Sequence, residues 1–78
     1  MNTTAAIVIL DQDKTAKTAG IVYVDVCEIG GRKLIEQIIV KDGADVVKLA
    51  DKALNAKGYF RFSGYSMVHG EMTAAIKF

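Results

Sequence analysis

Residues 21–41 read IVYVDVCEIGGRKLIEQIIVK, two runs rich in valine, isoleucine and tyrosine joined by Gly30 and Gly31. Branched and aromatic side chains pack well on a pleated surface, and adjacent glycines supply the positive φ angles of a tight two-residue turn. The stretch therefore reads as a β-hairpin, and the rest of the chain is organised around it. A two-residue turn sets Ile29 against Arg32, and each step outward fixes another pair. One face then carries Val22, Val24, Val26 and Glu28 beside Ile39, Gln37, Ile35 and Lys33. The other carries Ile21, Tyr23, Asp25, Cys27 and Ile29 beside Val40, Ile38, Glu36, Leu34 and Arg32, with Asp25 opposite Glu36.

Upstream, residues 5–10 (AAIVIL) form a short apolar run whose length and branched side chains favour a strand. Residues 11–20 (DQDKTAKTAG) are polar and without periodicity, and read as a loop. Downstream, residues 44–57 read as the single helix. Val46, Val47, Ala50, Ala53 and Leu54 recur at helical spacing, with Asp45, Lys48, Asp51, Lys52 and Asn55 on the other side. Asp42 is the expected N-cap, and Gly58 stands where a left-handed residue usually ends a helix. Residues 59–62 (YFRF) begin another strand, with Phe60 and Phe62 on one side and Tyr59 and Arg61 on the other. Gly64 marks a bend, His69-Gly70 a turn, and Met72, Ala74, Ile76 and Phe78 alternate along a last strand. The expected fold is α+β: an antiparallel sheet of four or five strands with one helix on one face, in the order βββαββ.

A chain of 78 residues is one domain, residues 1–78, near the lower size limit for folding unaided. Half of its residues are hydrophobic, which rules out a disordered segment, and the net charge of +1 gives no pull toward nucleic acid or an anionic membrane. Cys27 has no second cysteine to pair with, which points to a reducing compartment and a cytoplasmic location. The opening MNTTAAIVIL has neither the basic start of a secretion signal nor the length of a membrane span. No membrane association and no cofactor are expected.

Chemistry-bearing residues are few. Asp25 facing Glu36 is a candidate carboxylate pair, but a sheet face without a pocket favours solvated acids at an interface rim. Cys27 lacks a base placed beside it by the sequence, and His69 reads as a turn residue. Asp11 and Asp13 lack the remaining ligands of a calcium loop, and Gly30-Gly31 precedes a strand where a phosphate loop precedes a helix. No catalytic residue and no metal ligand is assigned. Lys57-Gly58-Tyr59 matches the start of the aromatic signature of RNA-recognition strands, and the match ends at Phe60 and Arg61. An exposed face of Lys57, Tyr59, Arg61 and Tyr65 is the alternative reading: a platform for single-stranded nucleic acid.

The remaining feature is apolar surplus. One helix covers one sheet face, while the hairpin is apolar on both. The uncovered side, with Tyr23, Asp25, Leu34, Glu36 and Ile38, is the expected binding surface for a protein partner, either another protein or a second copy. In size and in lacking catalytic motifs the chain resembles small phage-encoded inhibitors of host defence, including anti-CRISPR proteins. The resemblance is one of kind, carried by no aligned motif, and implies a non-enzymatic protein that works by steric blocking.

Overall fold

The computed structural model describes residues 5–30 and 33–78. The elements run β1 (Ala5–Asp11), α1 (Lys14–Ala19), β2 (Ile21–Glu28), β3 (Leu34–Lys41), α2 (Val46–Ala56), β4 (Phe60–Arg61), β5 (Ser66–Val68) and β6 (Glu71–Lys77). All strands join one antiparallel sheet in the order β3-β2-β1-β6-β4, with β5 also on β6. The α+β class and the packing of α2 on one face are as expected. The sheet has six strands because the segment after Gly58 is divided into β4 and β5.

Two local corrections have clear causes. The expected loop at residues 11–20 contains α1. The Asp13 carboxylate caps it by accepting from the Ala16 N–H at 2.7 Å, and Gly20 ends it at φ 70°. Asp42 is not the cap of α2. Its N–H donates to the Gly20 carbonyl and its carboxylate accepts from the Gln12 side chain and the Gly43 N–H, so it fastens the start of β2 to the end of β3. Asp45 precedes α2 without a side-chain capping bond. At the other end, Gly58 adopts φ 88°, the Gly58 N–H reaches the Asn55 carbonyl and the Tyr59 N–H reaches Leu54 at 2.9 Å. This paired closure satisfies the last helical carbonyls, as the glycine signal implied.

The hairpin register begins as expected and then slips. The Glu28 N–H bonds the Lys33 carbonyl at 2.9 Å and Cys27 pairs with Leu34. Beyond that point a bulge shifts the ladder, so that Val26 pairs with Glu36, Asp25 with Gln37, Val24 with Ile38, Tyr23 with Ile39 and Val22 with Val40. Gly30 is left-handed at φ 86°, while Gly31 and Arg32 lie outside the described residues. Asp25 and Glu36 consequently stand on opposite faces, and the carboxylate pair does not form.

The slip sorts the apolar residues. Val22, Val24, Val26 and Val40 join Ala6, Val8, Leu10, Ala74 and Ile76 in one buried layer. Ala50 and Leu54 of α2 press on that layer, with Val46, Val47 and Ala53 around them. Every residue of the expected helix stripe is used. Leu54 is fully buried and among the largest such side chains, so it carries more of the packing than its neighbours. Urea unfolding of Leu54→Ala is expected to show a loss of about 2–5 kcal/mol, the usual range for a leucine cavity.

Candidate functional site

On the covered side, Tyr59 is buried, donates its O–H to the Glu36 carboxylate at 2.9 Å and meets the Phe78 ring edge-on, centroids 5.0 Å apart. Lys57 Nζ stands 3.4 Å from the other Glu36 oxygen. Burial first, then the Glu36 bond, pushes the Tyr59 phenol above its ordinary range. Arg61 forms two hydrogen bonds to Asp51 on α2, Nε to Oδ1 at 2.8 Å and a second nitrogen to Oδ2 at 2.7 Å. Its remaining terminal nitrogen donates to the Ser63 carbonyl at 2.7 Å, and its guanidinium lies 4.7 Å from the Tyr65 ring centroid. The Arg61 bond holds the Asp51 carboxyl below its usual value. Burial pushes the Tyr65 phenol up to about 12.

These contacts correct the aromatic–basic reading. Tyr59 and Arg61 do alternate with Phe60 and Phe62, but it is the tyrosine and arginine that face α2. Tyr59, Arg61 and Tyr65 are engaged within the fold, Lys57 is exposed but paired with Glu36, and the exposed aromatic residues of the segment are Phe60 and Phe62.

The expected partner surface also divides. Glu36 and Ile38 turn to the covered face, where Ile38 packs on the core. Tyr23, Asp25 and Leu34 stay on the open face, and the Gln37 side-chain amide donates to Asp25 at 2.9 Å. Register pairs define what surrounds them. Leu34 lies opposite Cys27, Cys27 opposite Ile7 and Ile7 opposite Ala75. Beyond Ala75 comes Phe62, whose N–H donates to the Ala75 carbonyl at 3.1 Å. This line across the sheet contains no polar side chain. Its ends are open, with Leu34 51% and Phe62 58% exposed, and Phe60 beside Lys77 is 50% exposed. The next line through Asp25 is more polar, running Gln37, Asp25, Ile9, Thr73 and Ser66.

Sequence reasoning found Leu34 but missed Ile7, Phe60 and Phe62. The alternation in residues 59–62 marked the two phenylalanines as a pair, but their outward direction depends on what Tyr59 and Arg61 bind. Among the described residues, no group of three His, Cys, Asp or Glu side chains is placed to hold a metal ion. No helix among them is long and apolar enough to cross a membrane. His69 has φ 51° beside Gly70 at φ 80°, the geometry of the tight turn joining β5 to β6.

The chain matches no family model, and no curated protein and no solved structure shows a significant likeness to it.

Because folding favours the Asp51 carboxylate, its contribution is whole above the ordinary value of 3.8 and is lost as pH falls below it. Asp51→Asn is therefore expected to lower stability at neutral pH and to flatten the acid limb of a denaturation-versus-pH profile. Arg61→Ala should lower the urea midpoint at pH 7 by an amount corresponding to on the order of 2 kcal/mol, the range for hydrogen bonds to charged groups.

Proposed function

We propose that the protein is a non-enzymatic interaction module whose working surface is the open face of the sheet. The observation that carries this reading is the exposure of Leu34 at one end and of Phe62, with Phe60 alongside, at the other end of an apolar line that runs between them through the buried Cys27 and the half-buried Ile7 and Ala75. Neighbouring strands lie about 4.8 Å apart, so the line is about 19 Å long, a footprint suited to a protein surface. Exposed aromatic side chains on a rigid sheet are efficient anchors because they contribute large apolar area with few bonds to immobilise. Asp25, Gln37 and Lys77 supply a polar border.

Such a surface works by occupying its partner, with no bond made or broken. That mode fits a small phage- or mobile-element-encoded protein that blocks a component of host defence, in the manner of anti-CRISPR proteins. The partner is then a protein presenting an apolar surface complementary to Phe60 and Phe62.

A double variant, Phe60→Ser with Phe62→Ser, tests the surface directly. Both residues are exposed, so the thermal transition should stay within a few degrees of wild type. Crosslinking pull-downs from the native host are expected to recover a protein with the wild-type chain and to lose it with the variant. Equal recovery by both would overturn the assignment of the face. So would salt-sensitive binding of a labelled single-stranded oligonucleotide that the double variant abolishes, which would turn the same phenylalanines into base-stacking groups.

A further inference from the structure

The pairing of β2 with β3 changes register at Ile35, and the sequence of β3 fits either side of that change. Near the turn, the bond from the Glu28 N–H to the Lys33 carbonyl and the Cys27–Leu34 pair belong to both registers. Beyond them the bulge sets Tyr23 against Ile39, where a regular ladder sets Tyr23 against Ile38. The strand carries large apolar side chains at both phases. Ile38 and Val40 lie on the covered face, while Ile35 and Ile39 stand 42% and 58% exposed. A slip of one residue therefore exchanges one branched pair for another and removes the bulge.

What opposes the slip is polar and local. It carries Gln37 beneath α2 opposite Val24, and it brings Glu36 to the open face opposite Asp25. Tyr59 and Lys57 then lose Glu36, and Asp25 loses the Gln37 amide. The backbone offers less resistance. Among the described residues β3 is a border strand bonded to β2 alone. The Asp42 N–H now donates to the Gly20 carbonyl, and after a slip the Lys41 N–H stands in its place. The connection from β3 to α2 contains Gly43, and Asp45 precedes α2 without a side-chain capping bond, so this stretch has room to yield by one residue.

We propose that β3 is a register switch: the bulged pairing is the ground state, and a regular pairing shifted by one residue is a populated second state. A strand that is apolar at both phases specifies its register weakly, and a border strand has one ladder to break. In the second state the open face of β3 carries Leu34, Glu36, Ile38 and Val40 in place of Leu34, Gln37, Ile39 and Lys41. Its charge on that face is thereby reversed, from a lysine to a glutamate. Anything that binds there with a preference for either sign shifts the balance between the two.

Disulfide trapping reads the register directly, since opposed Cα atoms in an antiparallel pair lie about 4.5–5.5 Å apart, within bonding range. In a Cys27→Ala background, Tyr23→Cys with Ile39→Cys should link readily on mild oxidation. Tyr23→Cys with Ile38→Cys links only in the shifted register, because the bulged one puts the two side chains on opposite faces. With the second state at about 0.1–10%, this pair should link about ten- to a thousand-fold more slowly than the first. It should still link at least about ten-fold faster than Tyr23→Cys with Ile35→Cys, which neither register opposes and which reports unfolding alone. Gln37→Val removes the amide that the slip buries, and should speed linking of the Ile38→Cys pair about ten-fold. Linking no faster than in the Ile35→Cys control would overturn the proposal, as would indifference to Gln37→Val. Where the cysteine variants do not fold, exchange-saturation NMR of the wild type decides. A minor state confined to residues 35–41 and their β2 partners supports the switch, and its absence overturns it. No partner is needed for either measurement, so the outcome is separate from the reading of Phe60 and Phe62.

Discussion

Ile35 is squeezed into β3 as an extra residue, and the pairing on its two sides differs by one position. On the turn side, Glu28 and Cys27 meet the partners that Gly30-Gly31 dictates. On the far side, every pair down to Ile21 and Lys41 has moved by one. Because side chains alternate with a period of two, that shift exchanges the faces of Glu36, Gln37, Ile38, Ile39 and Val40 relative to β2. Val40 and Ile38 gain the core, Ile39 loses it, and Val22 and Val24 face branched neighbours beneath α2 while Val26 faces Glu36. Without the extra residue, Val22, Val24 and Val26 would share their face with Ile39, Gln37, Ile35 and Lys33, alternating apolar and polar.

The same shift brings Glu36 under the helix, where it becomes a polar fixing point. A flat sheet of this order would hold β3 and β4 about 19 Å apart, four strand spacings. Yet Tyr59, which adjoins β4, hydrogen-bonds Glu36 on β3. The sheet must therefore curl toward α2. The Asp51–Arg61 pair acts on the same side, joining the middle of the helix to β4 and, through Ser63 and Tyr65, to the segment that follows. The apolar stripe of α2 is narrow, and these two polar links hold its edges where valine and alanine alone have little reach.

Much of this architecture is written in local signals. The glycine turns, the helix stripe from Val46 to Leu54, the closure at Gly58 and the alternation of the last strand are all short-range, and all appear where the chemistry of their residues places them. The α1 helix was missed because its signals are its caps, Asp13 and Gly20, while its body has only alanine to mark an inner side. The bulge was missed for a deeper reason. LIEQIIVK alternates acceptably in either register, and the choice is made by β1 and α2, which β3 itself does not encode. The site depends on the same choice: Leu34, on the turn side of the bulge, lies on the open face as its spacing implies, whereas Glu36 and Ile38 beyond it lie on the covered face. Tyr59 and Arg61 were misplaced because their partners, Glu36 and Asp51, lie 23 and 10 residues away.

The unequal borders limit how far any assembly by strand pairing can grow. A sheet with two receptive borders is divalent, and divalent units polymerise into ribbons with no natural length. Here the Ser63 hydroxyl takes the Ala75 N–H at 2.8 Å between the short strands β4 and β5, so that border offers no continuous row of backbone groups. β3, the longer border, carries a bulge at Ile35 and ends on Lys41, and both features hinder the flat strand stacking on which fibrils grow.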